Sequence, residues 1–240
     1  MNWKEGLCVV SGVALLSAVA YIVRRIEYGT AEFDSYFTSL LKFIDATSAF
    51  PEHDKGNIYG HRARYEKGIR LLERHYRSNH SDFLELGSPY PYYSYYFYEK
   101  YNVRTVSADI GIETWSYNQN ISFQKLNLCK DEIRGYWDVI ILSEVFEHLP
   151  CNLYRVRDMI YNHLRPHGLI LYSFPTLMVS AEPLDKDLPL DFNKQYGHLR
   201  EFRNLVTPFL QEYNIVERTN CYPPAYPFAP IEIVLIRKDD

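Results

Sequence analysis

Residues 31–45, AEFDSYFTSLLKFID, place Phe33, Tyr36, Phe37, Leu40, Leu41 and Ile44 at the spacing of one helical face. A Pro- and Gly-containing stretch follows from Phe50 to Gly60. Residues 61–78, HRARYEKGIRLLERHYRS, then predict a second helix with Tyr65, Ile69, Leu72 and His75 or Tyr76 inward and five arginines mostly outward. From residue 82 the pattern changes to short apolar runs separated by helical segments. Strands are expected at Phe83–Leu86, Val103–Ala108, Ser122–Leu126, Trp137–Leu142, Leu169–Phe174, Tyr213–Arg218 and Ile231–Arg237. The runs WDVIIL and LILYSF are continuously apolar, as in parallel strands buried on both faces. Helical connections between them imply right-handed crossovers and a doubly wound α/β layer. The last strand follows CYPPAYPFAP, a loop and not a helix, so it is expected to run antiparallel.

Before all of this lies Leu7 to Val23, LCVVSGVALLSAVAYIV, a run of 17 residues without a charge. As a helix it would span roughly 25 Å, a little short of a hydrocarbon core of about 30 Å. Trp3 and Tyr21 stand where interfacial aromatics would, and Arg24-Arg25 follow at once, which orients the rest of the chain toward the cytoplasm. The expectation is a membrane anchor over residues 1–26, a helical extension over 27–80 and the main domain over 81–240. Two alternatives stay open: a cleaved signal, with Ala18-Val19-Ala20 as the cleavage site, and a buried helix of the domain.

The 240 residues carry a net charge of −4, so no global basic field attracts nucleic acid and no such partner is expected. Cys8, Cys129, Cys151 and Cys221 are scattered without a CxxC pair, neither a zinc pattern nor a disulfide framework, and reduced thiols are expected. The composition is unusual in its 22 tyrosines, side chains with an apolar body and a polar tip.

Ligands of doubly wound sheets bind beyond the carboxyl ends of the strands. There the first strand ends Glu85-Leu86-Gly87, and Gly87 allows close backbone approach. The second ends at Asp109, 24 positions after Glu85, the place of a carboxylate that binds ribose hydroxyls. Glu144, Glu147 and His148 follow the WDVIIL strand as E-x-x-E-H; on a helical turn the three share one face.

YWDVIILSEVFEHLP (136–150) and LRPHGLILYSFP (164–175) together resemble the fourth and fifth strands of class I S-adenosylmethionine-dependent methyltransferases. FLELGSPYP sits where that family has its glycine-rich first motif, VSADI where it has its ribose-binding acid, FQKLNL where the chain borders the adenine, and GHLREFRNLVTPFLQEYNIV resembles its last helix and strand. The resemblance covers residues 62–238. It implies a Rossmann-like sheet of seven strands, mostly parallel with an antiparallel last strand, plus N-terminal helices. It also implies S-adenosyl-L-methionine as cofactor. Glu85, Gly87 and Ser88 would cradle the methionine end, Asp109 and Ile110 the ribose, Asn127 and Leu128 the adenine, with Ser143 nearby. Ser88-Pro89 departs from the family's GxG by stiffening the turn and removing one N–H donor.

The E-x-x-E-H set, with His198 as a later ligand, resembles the metal site of methyltransferases acting on RNA 2′-hydroxyls and on catechol-type quinone precursors. Glu144, Glu147, His148 and His198 would then hold Mg²⁺ or Mn²⁺. Without metal, His148 or His198, with Glu147, would serve as catalytic base. Residues 181–197, AEPLDKDLPLDFNKQYG, form a long acidic insertion at the position of a lid. The expected acceptor is a small molecule or, given the anchor, a lipid-linked one. Two alternatives accompany that reading: an inactive methyltransferase-like scaffold that binds a partner through its tyrosines, and an RNA 2′-O-methyltransferase.

Overall fold

The computed structural model describes residues 31–47, 55–175, 210, 213–221 and 231–239. The apolar segment 7–23, the acidic insertion and His198 lie outside them. Two helices lead in: α1 (Ala31–Ala46) and α2 (Lys55–His75). Strand β1 (Asp82–Leu86) is followed by helix α3 (Ser94–Tyr101), then by β2 (Arg104–Asp109), β3 (Trp115–Ser116), β4 (Ile121–Lys125) and β5 (Trp137–Ser143). A single 3-10 turn, Phe146–His148, precedes α4 (Leu153–Asn162), and β6 (Leu164–Pro175), β7 (Asn214–Cys221) and β8 (Ile231–Arg237) complete the sheet.

The eight strands lie in the order β3-β4-β2-β1-β5-β6-β8-β7. The pairs β4–β2, β2–β1, β1–β5 and β5–β6 are parallel. Strand β8 runs antiparallel to both β6 and β7, as expected from its loop-borne arrival. All seven expected strands are present. The eighth is β3, a two-residue edge piece antiparallel to β4 through Trp115↔Phe123 and Ser116↔Ser122, too short to leave a periodic signal.

Side-chain alternation divides the core. Phe83, Val139, Ile141, Leu169, Leu171, Ile233 and Leu235 face α1, α2 and α3. Their neighbours Leu84, Leu86, Ile140, Leu142, Ile170, Val234 and Ile236 face the α4 side. The first face is aromatic. Phe33 stacks on Tyr96 with centroids 5.6 Å apart, Phe43 on Tyr95 at 4.7 Å, Tyr65 on Tyr92 at 4.6 Å and Phe83 on Phe97 at 4.9 Å. The tyrosines after Gly87 are thus chiefly core. Tyr90 and Tyr93 are fully buried: each ring finds an aromatic partner, and the Tyr93 hydroxyl meets Ser143.

Helix α1 buries the expected face, Leu41 only in part, with Phe43 added. On α2 the expectation of outward arginines fails at Arg64, which is buried while Arg74 is exposed. Tyr65 and Ile69 fix the buried face of α2, and Arg64, one residue before Tyr65, lies on its margin, where a carboxylate at the sheet edge draws it in. The helix approaches the sheet closely at Gly68, where an added Cβ would lie 2.5 Å from Tyr93 Cε1 and 3.2 Å from Leu171 Cδ2.

Replacing a helical glycine by alanine normally stabilises by about 1 kcal/mol. Gly68→Ala should instead destabilise by about 1–3 kcal/mol through overpacking against Tyr93. Thermal unfolding checks the sign; a raised Tm would mean that α2 does not sit at this distance.

Candidate functional site

On the aromatic face the last positions of four strands turn polar: Glu85 on β1, Ser107 on β2, Ser143 on β5 and Ser173 on β6. The alternation that sends Phe83 and Ile141 toward the helices sends these side chains the same way. They are held at the carboxyl edge by their mutual bonds and by those to the loop after β1.

Glu85 is 1% exposed. Its carboxylate accepts from Tyr93 N (3.1 Å), Ser94 N (3.0 Å) and Ser94 Oγ (2.8 Å), the otherwise uncapped start of α3. Burial nevertheless pushes its carboxyl up to about 7. Glu85 is therefore committed to the helix above it, and the turn itself is built from backbone. Gly87 has φ +66 and donates its N–H to Ala108 O at 2.7 Å; a Cβ there would lie 2.6 Å from Val145 Cγ2. Ser88 turns its hydroxyl to Tyr90 O, and its carbonyl accepts from Ser107 Oγ at 3.3 Å.

Beside this turn, Asp109 ends β2. Its Oδ1 accepts Gly111 N and its carbonyl accepts Leu126 N at 3.0 Å, so the acid and the loop after β4 are joined directly. Ile110 follows in the same half-buried turn. In the next loop Asn127 Oδ1 accepts Cys129 N at 3.0 Å and Asn127 O accepts the N–H groups of Lys130 and Asp131, while Leu128 packs inward.

On the other side of β1 a chain of hydroxyls crosses the edge. Tyr93 Oη lies 3.1 Å from Ser143 Oγ, Ser143 Oγ lies 2.8 Å from Ser173 Oγ, and Ser173 Oγ donates to Glu144 Oε1 at 3.4 Å. Glu144 has φ +58, and its Oε2 lies 3.3 Å from Nη1 of the buried Arg64. Arg64 also donates from Nη2 to Tyr65 Oη at 2.9 Å, and its Nε has no hydrogen-bond partner among the described residues. Burial pushes the Glu144 carboxyl up, against the opposing pull of Arg64 and Ser173. The neighbouring His61 is held neutral, lowered to about 4 by burial and by Arg64.

The E-x-x-E-H residues do not share one helical face. Glu144 sits in a left-handed turn before the 3-10 turn and is directed to Arg64 and Ser173. Glu147 turns into the interior, where neither carboxylate oxygen has a hydrogen-bond partner among the described residues. His148, one third exposed, has Nε2 4.0 Å from Glu147 Oε1. The convergent Mg²⁺ or Mn²⁺ set expected at Glu144, Glu147 and His148 is not formed: among the described residues no three His, Cys, Asp or Glu side chains are grouped to hold a metal ion.

The expectation of free thiols also needs correcting. Cys129 and Cys151 form a disulfide with Cα atoms 5.6 Å apart, while Cys221 is buried and lies outside that bridge. Residues 22 apart meet because the chain descends from β4 to the amino edge and returns along β5. Closing a loop of this length stabilises by about 3 kcal/mol on the chain-entropy account.

Arg64 was not singled out by sequence, since its spacing on α2 is that of its solvated neighbours. Tyr93 was counted only as one of a tyrosine run. Arg64, through its contact with Glu144 just past the end of β5, reaches the carboxyl edge where strand order reverses around β1, and its Nε is buried without a hydrogen-bond partner among the described residues. Carboxylates and a guanidinium together suit a small ligand carrying both signs of charge.

No protein-family model matches the chain, and no curated relative matches it in sequence. Among solved structures it is similar to the N-methyltransferase NodS from Bradyrhizobium japonicum WM9, at 18% identity over 78% of this chain and 99% of that one, with TM-score 0.53. NodS in complex with S-adenosyl-L-homocysteine gives 19% identity, 85% and 98% coverage and TM-score 0.52. Coclaurine N-methyltransferase bound to N-methylheliamine and S-adenosylhomocysteine gives 14%, 79%, 76% and 0.53. At these identities the likeness establishes the fold, the Rossmann-like fold of class I methyltransferases.

Glu147 sets a pH dependence. Burial first, and Glu144 second, raise its carboxyl well above the ordinary 4.5. Its contribution to stability is complete below that ordinary value. It falls by about 1.4 kcal/mol per pH unit as pH rises, until the folded carboxyl ionises. Glu147→Gln should therefore gain on wild type in Tm as pH rises above the ordinary 4.5. A Tm difference that does not grow with pH would mean that Glu147 ionises normally.

Proposed function

We propose that this protein is an S-adenosylmethionine-dependent methyltransferase that transfers a methyl group to an oxygen or nitrogen of a small-molecule or lipid-linked acceptor. One observation carries the reading: the Gly87 turn, Asp109 and the Asn127–Leu128 loop are joined edge to edge at the topological switch point of a methyltransferase sheet. The solved structures similar in fold, at least two of which hold S-adenosylhomocysteine, support it.

Asp109 is placed to bind ribose hydroxyls, and Asn127 and Leu128 to border the adenine. Since Glu85 is engaged by α3, the methionine end falls to Arg64 for its carboxylate and to the Gly87 turn and Glu144 for its ammonium group. When bound, the donor supplies an electrophilic methyl on a sulfonium. The buried aromatic layer and the hydroxyl chain from Tyr93 to Ser173 keep that end of the site rigid, which favours in-line positioning of donor and acceptor. His148, one third exposed, is the group to receive the proton that the acceptor sheds. A lipid-linked acceptor and attachment to the cytoplasmic side of a membrane rest on the sequence of residues 7–23 alone.

Calorimetric titration of S-adenosylhomocysteine into the full chain should give micromolar-range binding, about 8 kcal/mol. Asp109→Ala should weaken it at least roughly tenfold, about 1.4 kcal/mol. Arg64→Met should weaken it similarly, with partial recovery in Arg64→Lys. Folded protein that binds no S-adenosylhomocysteine would defeat the donor reading and leave the partner-binding scaffold in its place.

A further inference from the structure

Strands β4 and β5 flank the β2–β1 pair, whose ends carry Asp109 and Gly87. The segments that follow β4 and β5 are covalently joined by Cys129–Cys151. Cys129 lies two residues past Asn127 and is tied to it through Asn127 Oδ1. Cys151 lies three residues past His148, just before Asn152, whose Oδ1 caps α4 by accepting Tyr154 N and Arg155 N. Arg155 makes the same connection without sulfur, donating to Cys129 O at 3.2 Å and to Glu132 Oε1 at 2.7 Å. These two polar contacts are at the surface, where such bonds hold weakly, so the sulfur link is the strong element of the strap. Both cysteines are half-buried and within reach of a small thiol, unlike the buried Cys221.

We propose that Cys129–Cys151 is a redox-controlled latch on the donor site: closed, it holds the Asn127–Leu128 loop against the start of α4; open, it lets the loop move and weakens donor binding. This rests on the donor reading given above. Closing the latch takes two protons and two electrons from the thiols, accepted by a small disulfide such as glutathione disulfide, which becomes two thiols. Opening reverses the exchange through a mixed disulfide, with a small dithiol as reductant. Coupling follows because the loop borders the ligand: fixing it beforehand removes an ordering cost that binding otherwise bears.

The test uses the full chain in mild detergent, equilibrated with glutathione disulfide or with dithiothreitol. Thiols are counted under denaturing conditions, and S-adenosylhomocysteine is titrated into each folded form. Reduction should expose two further thiols and weaken binding roughly tenfold, within the usual range of coupling between sites. Cys129→Ser should bind like the reduced wild type and ignore both reagents, whereas Cys221→Ser should keep the response. Equal, tight binding in both forms overturns the latch and leaves the donor site standing. An unchanged thiol count also overturns the latch. Failure of both forms to bind removes the donor site itself, and the latch with it.

Discussion

Glu85 is a carboxylate placed by strand alternation on an aromatic face, among Phe83, Phe97 and Tyr93, where an unpaired charge would cost several kcal/mol. The start of α3 meets it with Tyr93 N, Ser94 N and Ser94 Oγ. Each side supplies what the other lacks, since no side chain at the Tyr93 N-cap position caps that helix. The contact fixes where the chain goes after Gly87, and so fixes Tyr93. Its ring then limits how closely α2 approaches at Gly68, and its hydroxyl begins the chain through Ser143 and Ser173 to Glu144.

The leading helices are consequently part of the site. Their aromatic side chains share one core with the sheet, and Arg64 reaches Glu144 from α2. A glycine-rich turn would let the backbone wrap its ligand. Here Ser88-Pro89 is stiff, its hydroxyl is used within the loop and its carbonyl by Ser107 of β2, and Arg64 meets Glu144 just past the end of β5.

The carboxyl groups of Glu144 and Glu147 have unequal surroundings. Glu144 faces Arg64 and Ser173, whereas neither carboxylate oxygen of Glu147 has a hydrogen-bond partner among the described residues, and burial raises its carboxyl well above the ordinary value. The left-handed turn at Glu144 separates them, and it also returns Val145 against Gly87. One local distortion at the end of β5 thus closes the turn below and divides the acids above. The strap from Cys129 to Cys151 then ties the segment beyond it back to the loop after β4.

The sequence by itself determined the sheet. Continuous apolar runs mark buried strands, and the loop-borne last strand is antiparallel, because both are properties of local pattern and connection length. The helical face of α1 and the placement of Gly87 and Asp109 at strand ends were legible for the same reason. Only the tertiary structure decided what Glu85, Arg64 and the E-x-x-E-H residues do. Glu85 has the position of a ligand-binding acid but is used by α3. Arg64 shares its spacing with solvated arginines but meets a carboxylate from the turn after β5, some 80 positions away. Glu144 and Glu147 share a face only if the turn is helical, and a single left-handed residue removes that condition. Cys129 and Cys151 looked scattered because sequence distance ignores that a strand brings the chain back to its own edge. Burial, partner and backbone hand are set by the neighbours that folding supplies, and they decided the chemistry of each of these groups.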